Sequence, residues 1–185
     1  MVYPDRHRRS RTRTARREGN EEKELSSSAT IRHATTEDLP AIGKLGALLV
    51  RLHHDFDPQR FIPASPKTES GYAWFLGTQL EESNVIILVA ELDGKVIGYT
   101  YASMEGSDYM ALRGPAGVLS DIVVDPEYRG QGVARMLLDA TLAELKNRGA
   151  PRVVLSTAEG NDRAQDVFEK AGFRRTMIEM TRELD

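Results

Sequence analysis

The 185-residue sequence contains no cysteine. Disulfide stapling, a thiol nucleophile and thiolate-ligated metal are therefore excluded. Aromatic residues make up only 6% of the chain, with a single tryptophan, so a core has to be built mainly from aliphatic side chains. No apolar run approaches the roughly 18 residues needed to cross a bilayer. No apolar leader segment is found either, and the expectation is a cytoplasmic protein that works without a membrane. Histidine is scarce, with four in all. His53 and His54 are adjacent, and neighbours on a helix face different ways, so no metal site is expected.

What is present suits one globular domain: 40% hydrophobic and 29% charged residues. The charge is unevenly placed. Seven arginines lie among residues 1–17, then Glu18, Glu21, Glu22 and Glu24 reverse the sign. With almost no apolar residues, 1–28 reads as a disordered Arg-rich tail, and residues 29–185 as the folded domain. Those carry 17 basic and 23 acidic side chains. Such an acidic domain is a poor nucleic-acid binder and a suitable host for a cationic amine. Only the tail offers nucleic acid a binding arm.

The pattern of the domain is that of an α/β protein. A short strand over 30–34 precedes a helix whose inward stripe is Ile42, Leu45, Gly46 and Leu49. Gly43 and Gly46 weaken that helix by about 1 kcal/mol each relative to Ala, which requires either a closely packed neighbour or a mobile helix. A loop with three prolines leads to a second helix over about 68–82. Strands at 85–91 and 96–105 flank the turn signal Asp93-Gly94. A fourth strand over 116–124, a helix, a fifth strand over 152–157, a helix and a closing strand over 173–182 complete the order. The expected fold is one mixed, mostly antiparallel sheet flanked by helices.

The most informative stretch is Val123-Val124-Asp125-Pro126-Glu127-Tyr128-Arg129-Gly130-Gln131-Gly132-Val133-Ala134. It reads as a buried strand, a Pro-containing turn, a Gly-bearing loop and the start of a long helix. The first amides of a helix lack internal partners and sit at its positive end, which suits an anion. Gly130 and Gly132 remove side chains where a phosphate would approach the backbone. The spacing Arg129-x-x-Gly132-x-Ala134 resembles the coenzyme A motif of the GCN5-related N-acetyltransferases (GNAT). About thirty residues on, Asn161-x-x-Ala164-x-x-Val167-Phe168-Glu169-Lys170-Ala171-Gly172-Phe173 resembles the second signature of that family. The resemblance covers roughly residues 30–182.

The resemblance implies a GNAT-like fold whose sheet splays between its fourth and fifth strands. It also implies acetyl-CoA as co-substrate. Carried over residue by residue, the backbone of Ile122, Val123 and Val124 would bond the pantetheine arm. The amides of Arg129, Gly130, Gln131, Gly132, Val133 and Ala134 would hold the pyrophosphate. Asn161 would touch the coenzyme arm, or serve as a plain helix cap, or both. Where the family often carries a proton-donating tyrosine this chain has Phe168, so Tyr99, Tyr101, Tyr109, Tyr128 or water would substitute, or the thiolate would leave unassisted. Ser156 stands where members that acetylate protein N-termini commonly carry glutamate.

The implied chemistry is attack of a neutral amine on a thioester, which needs a base and an oxyanion donor. Asp121 and Glu105 are the candidate bases, each with an alternative as a strand-end carboxylate paired to backbone or arginine. His53, His54 and Asp55 end the first helix, where the family builds its acceptor pocket. The expected activity is acetyl transfer from acetyl-CoA to a primary amine in a ternary complex. The alternative is a non-catalytic acyl-CoA sensor. The expected partners are acetyl-CoA and the amine, with a homodimer left open.

Overall fold

The computed structural model describes residues 29–184; the arginine-rich segment 1–28 lies outside the described residues. Five strands form one sheet in the order β1-β2-β3-β4-β5. They are β1 (Thr30–His33), β2 (Val85–Leu92), β3 (Lys95–Glu105), β4 (Ala116–Val124) and β5 (Val153–Leu155). The first four are antiparallel neighbours, and β5 runs parallel to β4. Four helices flank the sheet: α1 (Leu39–Phe56), α2 (Thr68–Gln79), α3 (Val133–Asn147) and α4 (Asp162–Lys170). Among the described residues no helix is long and apolar enough to cross a membrane.

The sheet is covered on both faces, and β2 shows why its sequence is a continuous apolar run. Ile86, Leu88 and Ala90 pack with Leu137, Leu138 and Leu145 of α3. The intervening Ile87 and Val89 pack on the other face with Ile42 and Leu45 of α1 and Leu76 of α2. The β2–β3 hairpin turns at Asp93 and Gly94, both with positive φ (50° and 77°), as the Asp-Gly pair predicts.

The two glycines of α1 mark a close helix contact. A Cβ on Gly43 would lie 2.5 Å from the Glu69 carbonyl oxygen of α2. A Cβ on Gly46 would lie 2.2 Å from the Tyr72 ring. The missing side chains thus let α2 lie against α1 and seat the Tyr72 ring between them. Of the two readings left open by the sequence, close packing is the one observed.

One sequence expectation is not met. Residues 173–182 form no strand, so the sheet ends at β5 rather than at a sixth strand. The alternation is present, but Met177, Ile178 and Met180 are exposed at 77%, 85% and 91%. No backbone hydrogen bond joins 174–184 to another described residue. The outer edge of β5 stays unpaired, so alternation by itself does not make a strand; that takes backbone bonds to a neighbour.

The start of the domain is fixed by an ion cluster. Arg32 of β1 donates to both oxygens of buried Asp38 (2.7 and 2.8 Å) and to Glu91 of β2 (2.8 Å). The Thr35 amide also donates to Asp38 (2.8 Å). The Arg32 guanidinium holds the Asp38 carboxyl below its ordinary value of 3.8. A depressed acid adds stability above its unfolded pKa, and that stability is lost as pH falls through the folded value. Asp38→Asn is therefore expected to lower the melting temperature at neutral pH, by about 1–3 kcal/mol of stability. Parallel thermal melts check this: the gap between variant and parent should shrink as pH falls below 3.8.

Candidate active site

β4 carries the centre of the site, and its local irregularity aims it. Tyr101 pairs with Asp121 and Ala102 with Leu119, so Ser120 has no partner on β3. One extra residue on one strand is a bulge, which bends the strand and redirects the side chains around it. Ser120 and Asp121 both line a cavity of about 320 Å³. The remaining wall comes from Leu49, Val50 and His53 of α1, Phe61 and Ile62 of the following loop, and Tyr72 of α2. Its lining is mainly apolar, with a single carboxylate.

That carboxylate is held in an unusual setting. The hydroxyl of fully buried Tyr99 donates to Asp121 Oδ2 at 2.8 Å. The Tyr72 hydroxyl and His53 face the same group. Asp121 is half-buried and meets solvent through the cavity. Desolvation pushes its pKa above 3.8, and the hydroxyl bonds from Tyr99 and Tyr72, with His53 nearby, only partly offset this. Burial, then the negative charge of Asp121, raise both tyrosines above their ordinary value. They stay protonated and act as donors.

The structure brings only some of the candidate residues together. His53 lines the cavity, with Nδ1 at 2.9 Å from the Leu49 carbonyl and its ring edge-on to Phe61 at 4.9 Å. His54 turns away and ties its Nδ1 to the Phe61 carbonyl at 2.9 Å. Asp55 is exposed and outside the cavity lining. Glu105 pairs with Ala116 at the far end of β4, five residues from Asp121, or roughly 16 Å at about 3.3 Å per residue. There it takes an ion pair from Arg113 at 2.6 Å and a bond from the Ser103 hydroxyl at 3.2 Å. Glu105→Gln should accordingly leave acetyl-CoA-dependent turnover within about twofold of the parent, read by steady-state kinetics; effects on a surface pair of this kind are small.

Beyond the bulge β4 parts from β5. The two pair only over Gly117–Val153, Val118–Val154 and Leu119–Leu155. The next residues of β4 have a neighbour on one side alone. The Asp125 amide donates to Ile97 on β3 at 2.9 Å. Alternation then turns the amides and carbonyls of Val123 toward β3 and those of Ile122 and Val124 toward the open side. The Val123 carbonyl indeed lies 2.8 Å from where a Gly98 Cβ would be. The Val124 carbonyl accepts from Arg129 Nε at 3.0 Å, and the Val124 and Ile122 amides are left facing the cleft.

The loop after β4 forms the cradle that the sequence implies. Asp125 caps a short turn at Pro126–Tyr128 by accepting from the Glu127 amide. Gly130 and Gly132 both take left-handed φ, 80° and 81°, a conformation that costs other residues roughly 1–2 kcal/mol. Gly132 caps α3 without a side-chain bond, so the first amides of a fifteen-residue helix are uncapped at its positive end. Two guanidinium groups flank them. Arg163 of α4 comes within 3.8 Å of a Cβ placed on Gly130, and its charge, after desolvation, lowers the Arg129 pKa. Two cations this close invite an anion between them. The residues present thus fit a pyrophosphate.

Asn161 caps α4, its Oδ1 accepting from the Ala164 amide at 3.2 Å. Phe168 is 7% exposed and packs edge-on against Phe173 at 5.9 Å in the core. It does not line the cavity. Of the tyrosines, Tyr101 bonds Gln79 at 3.2 Å, Tyr128 receives the Lys95 cation at 4.8 Å, and Tyr109 is 85% exposed. Sequence reasoning missed Tyr72 and Arg163. Arg163 did leave a signal: a cation in the first turn of a helix is unfavourable unless something there needs it.

A five-stranded mixed sheet, parted beside a glycine cradle at a helix N-terminus, defines an acyl-coenzyme A-binding fold. The Acetyltransferase (GNAT) family model matches residues 49–173, and the chain belongs to that family, whose co-substrate is acetyl-CoA. The mycothiol acetyltransferase of Thermobispora bispora is 36% identical over 96 residues, covering 50% of this chain and 31% of that protein. N-alpha-acetyltransferase 30 of Schizosaccharomyces pombe is 42% identical over 59 residues, 32% of this chain and 39% of its own length. The chain thus spans well under half of these relatives. A predicted acetyltransferase of Clostridium acetobutylicum solved with acetyl-CoA has TM-score 0.65 at 18% identity, covering 83% of this chain and 96% of that one.

Proposed function

We propose that the protein transfers the acetyl group of acetyl-CoA to a primary amine seated in the Asp121 cavity. The observation that carries this reading is a single desolvated carboxylate, held by Tyr99, at the base of an apolar cavity beside the parted strands. A carboxylate so placed binds one ammonium group, and apolar walls bind the carbon body behind it. The acceptor class is therefore a small molecule or lysine-like chain with one primary amine on an alkyl or aryl body.

Acetyl-CoA supplies a thioester. The bound ammonium first gives one proton to Asp121 Oδ1, which passes it to solvent through the cavity. The neutral amine nitrogen then forms the new bond to the carbonyl carbon, the carbon–sulfur bond breaks, and the second N–H proton passes to the same carboxylate, directly or through water. The raised pKa of Asp121 makes it a stronger base than an ordinary carboxylate. The Val124 amide serves as oxyanion donor, and the pantetheine arm pairs with the backbone of Ile122 and Val124. The cradle from Arg129 to Ala134, with Arg163, holds the pyrophosphate. With an ordinary thiol pKa of about 8.5, the thiolate departs without an acid, consistent with Phe168 having no proton to give. His53 shapes the cavity wall.

The test is initial rate across an amine panel at fixed acetyl-CoA. Alkyl and aryl monoamines and lysine-like acceptors should outrun polyamines, aminoglycosides and amines bearing an adjacent carboxylate. A preference for polycationic acceptors would refute a pocket with one carboxylate.

Gly46→Ala probes the same cavity from behind. A Cβ there displaces the Tyr72 ring, so turnover should fall by about tenfold while stability drops by about 1–3 kcal/mol, the range for overpacking. Kinetics and thermal melts on the one variant check both.

A further inference from the structure

An ammonium acceptor loses two protons on its way to an amide, one before attack and one after, and both pass through Asp121. A carboxylate that keeps the first proton cannot take the second, so turnover needs a group that empties it. Asp121 Oδ2 is already held by the Tyr99 hydroxyl. In the proposed complex the acceptor lies against the other oxygen.

Among the described residues that line the cavity, elimination leaves one such group. The four apolar wall residues have no exchangeable side-chain proton. Ser120 is an alcohol and cannot hold an extra proton at neutral pH. Tyr72 stays protonated, since burial and then the charge of Asp121 raise its pKa. There remains His53, and imidazole is the side chain that takes up and releases a proton near neutral pH.

The ring is oriented for this. Its Nδ1 lies 2.9 Å from the Leu49 carbonyl. A carbonyl only accepts, so Nδ1 carries the hydrogen and the neutral ring keeps its lone pair on Nε2. Nε2 has no partner among the described residues, and it is not shut off from solvent. Edge-on contacts with Phe61 at 4.9 Å and Phe56 at 6.2 Å fix the ring plane. His53 also lies in the last turn of α1, the negative end of the helix, which accommodates a transient cation. The charged and titratable groups around it are few. Asp121 of β4 faces it, carrying the Tyr99 and Tyr72 hydroxyls. The Arg60 guanidinium lies 5.0 Å over Phe61 and is engaged by Glu179. His54 is tied to the Phe61 carbonyl.

We propose that His53 relays protons from Asp121 to solvent, a role that rests on the acetyl-transfer reading above. The protonated Asp121 gives its hydrogen to Nε2, directly or through a water in the cavity. This restores the carboxylate and leaves an imidazolium. The imidazolium releases that proton to solvent from Nε2, while the Nδ1 hydrogen stays on the Leu49 carbonyl. Two such cycles clear the two protons of one turnover. His53 thus acts through Asp121 and takes no part in bond making at the carbonyl carbon.

The experiment is steady-state kinetics of the full chain with benzylamine and with hexylamine. His53→Ala should lower kcat by about 10–100-fold, at or below the low end for positioned proton transfer, with KM for the amine within about twofold of the parent. Added imidazole should restore turnover in proportion to its concentration, and the rescue should follow the neutral fraction of the added base as pH is varied. A residue that only shapes the wall gives no such response. His53→Asn is the second variant. Its side-chain amide can still donate to the Leu49 carbonyl but cannot carry a proton, so it should be as slow as His53→Ala, and it carries the test if the alanine variant does not fold. A kcat of either variant within about twofold of the parent, or a slow His53→Ala that imidazole does not restore, would overturn the relay and leave acetyl transfer standing. A parent that releases no thiol with either amine would overturn the reading beneath it, and the relay with it.

Discussion

Asp121→Asn is expected to lower turnover by about 10²–10⁴-fold, the usual weight of a positioned general base, while the protein melts at the same or a higher temperature. The two halves have one cause. Asp121 is desolvated, and its pKa is raised in the folded state. A raised acid binds its proton more tightly folded than unfolded, so its contribution to stability is present below 3.8 and is lost as pH rises through the folded value. At neutral pH the ionised carboxylate is a cost to the fold, which asparagine removes. Asparagine still accepts from Tyr99 but cannot take a proton. The parent rate should rise with pH as Asp121 ionises, and that limb should vanish from the profile of the variant. A structural role alone would give the opposite pairing: lower stability with the pH limb intact.

Gly132→Glu should weaken acetyl-CoA binding by at least about 100-fold, equivalent to about 2.8 kcal/mol. Two effects act together. Gly132 sits at φ 81° as the cap of α3, where a side chain is strained, one residue before the amides meant for the pyrophosphate. The carboxylate then places negative charge where an anion must bind. Strain by itself is controlled at Gly94, which has φ 77° and open space around it. Gly94→Glu should carry a similar stability loss and leave affinity unchanged. Calorimetry with coenzyme A on the two variants separates the effects, and equal affinities would remove the loop from the cofactor site.

The parts of the molecule legible in the sequence are those fixed by local rules. The Asp93-Gly94 hairpin follows from two positive φ values that few other pairs adopt. The cradle follows from Gly130 and Gly132 leading into a helix with its apolar stripe at Leu137, Leu138 and Leu145. The candidate base was legible only as one of two carboxylates. The ladder separates them, pairing Asp121 with Tyr101 and Glu105 with Ala116, and register is a property of two strands rather than one. The bulge at Ser120 leaves no mark in β4 itself. Tyr72 carries no mark of a site residue in its own helix; the missing side chain of Gly46 on another helix admits its ring, and its hydroxyl faces Asp121. Phe168 keeps the spacing of a site residue, and its ring is buried edge-on against Phe173, a contact that spacing alone does not show. The segment 173–182 had the right alternation for a strand but makes no backbone bond to a neighbouring strand, and such pairing lies outside any single-strand pattern.

The most direct test of the account is thiol release from acetyl-CoA with and without an amine, a clean assay because the chain has no cysteine of its own. Release should require both the amine and an intact Asp121, with one acetylated amine formed per thiol. Tight binding of acetyl-CoA with no amine-dependent release from any acceptor would contradict it and leave an acyl-CoA sensor in its place.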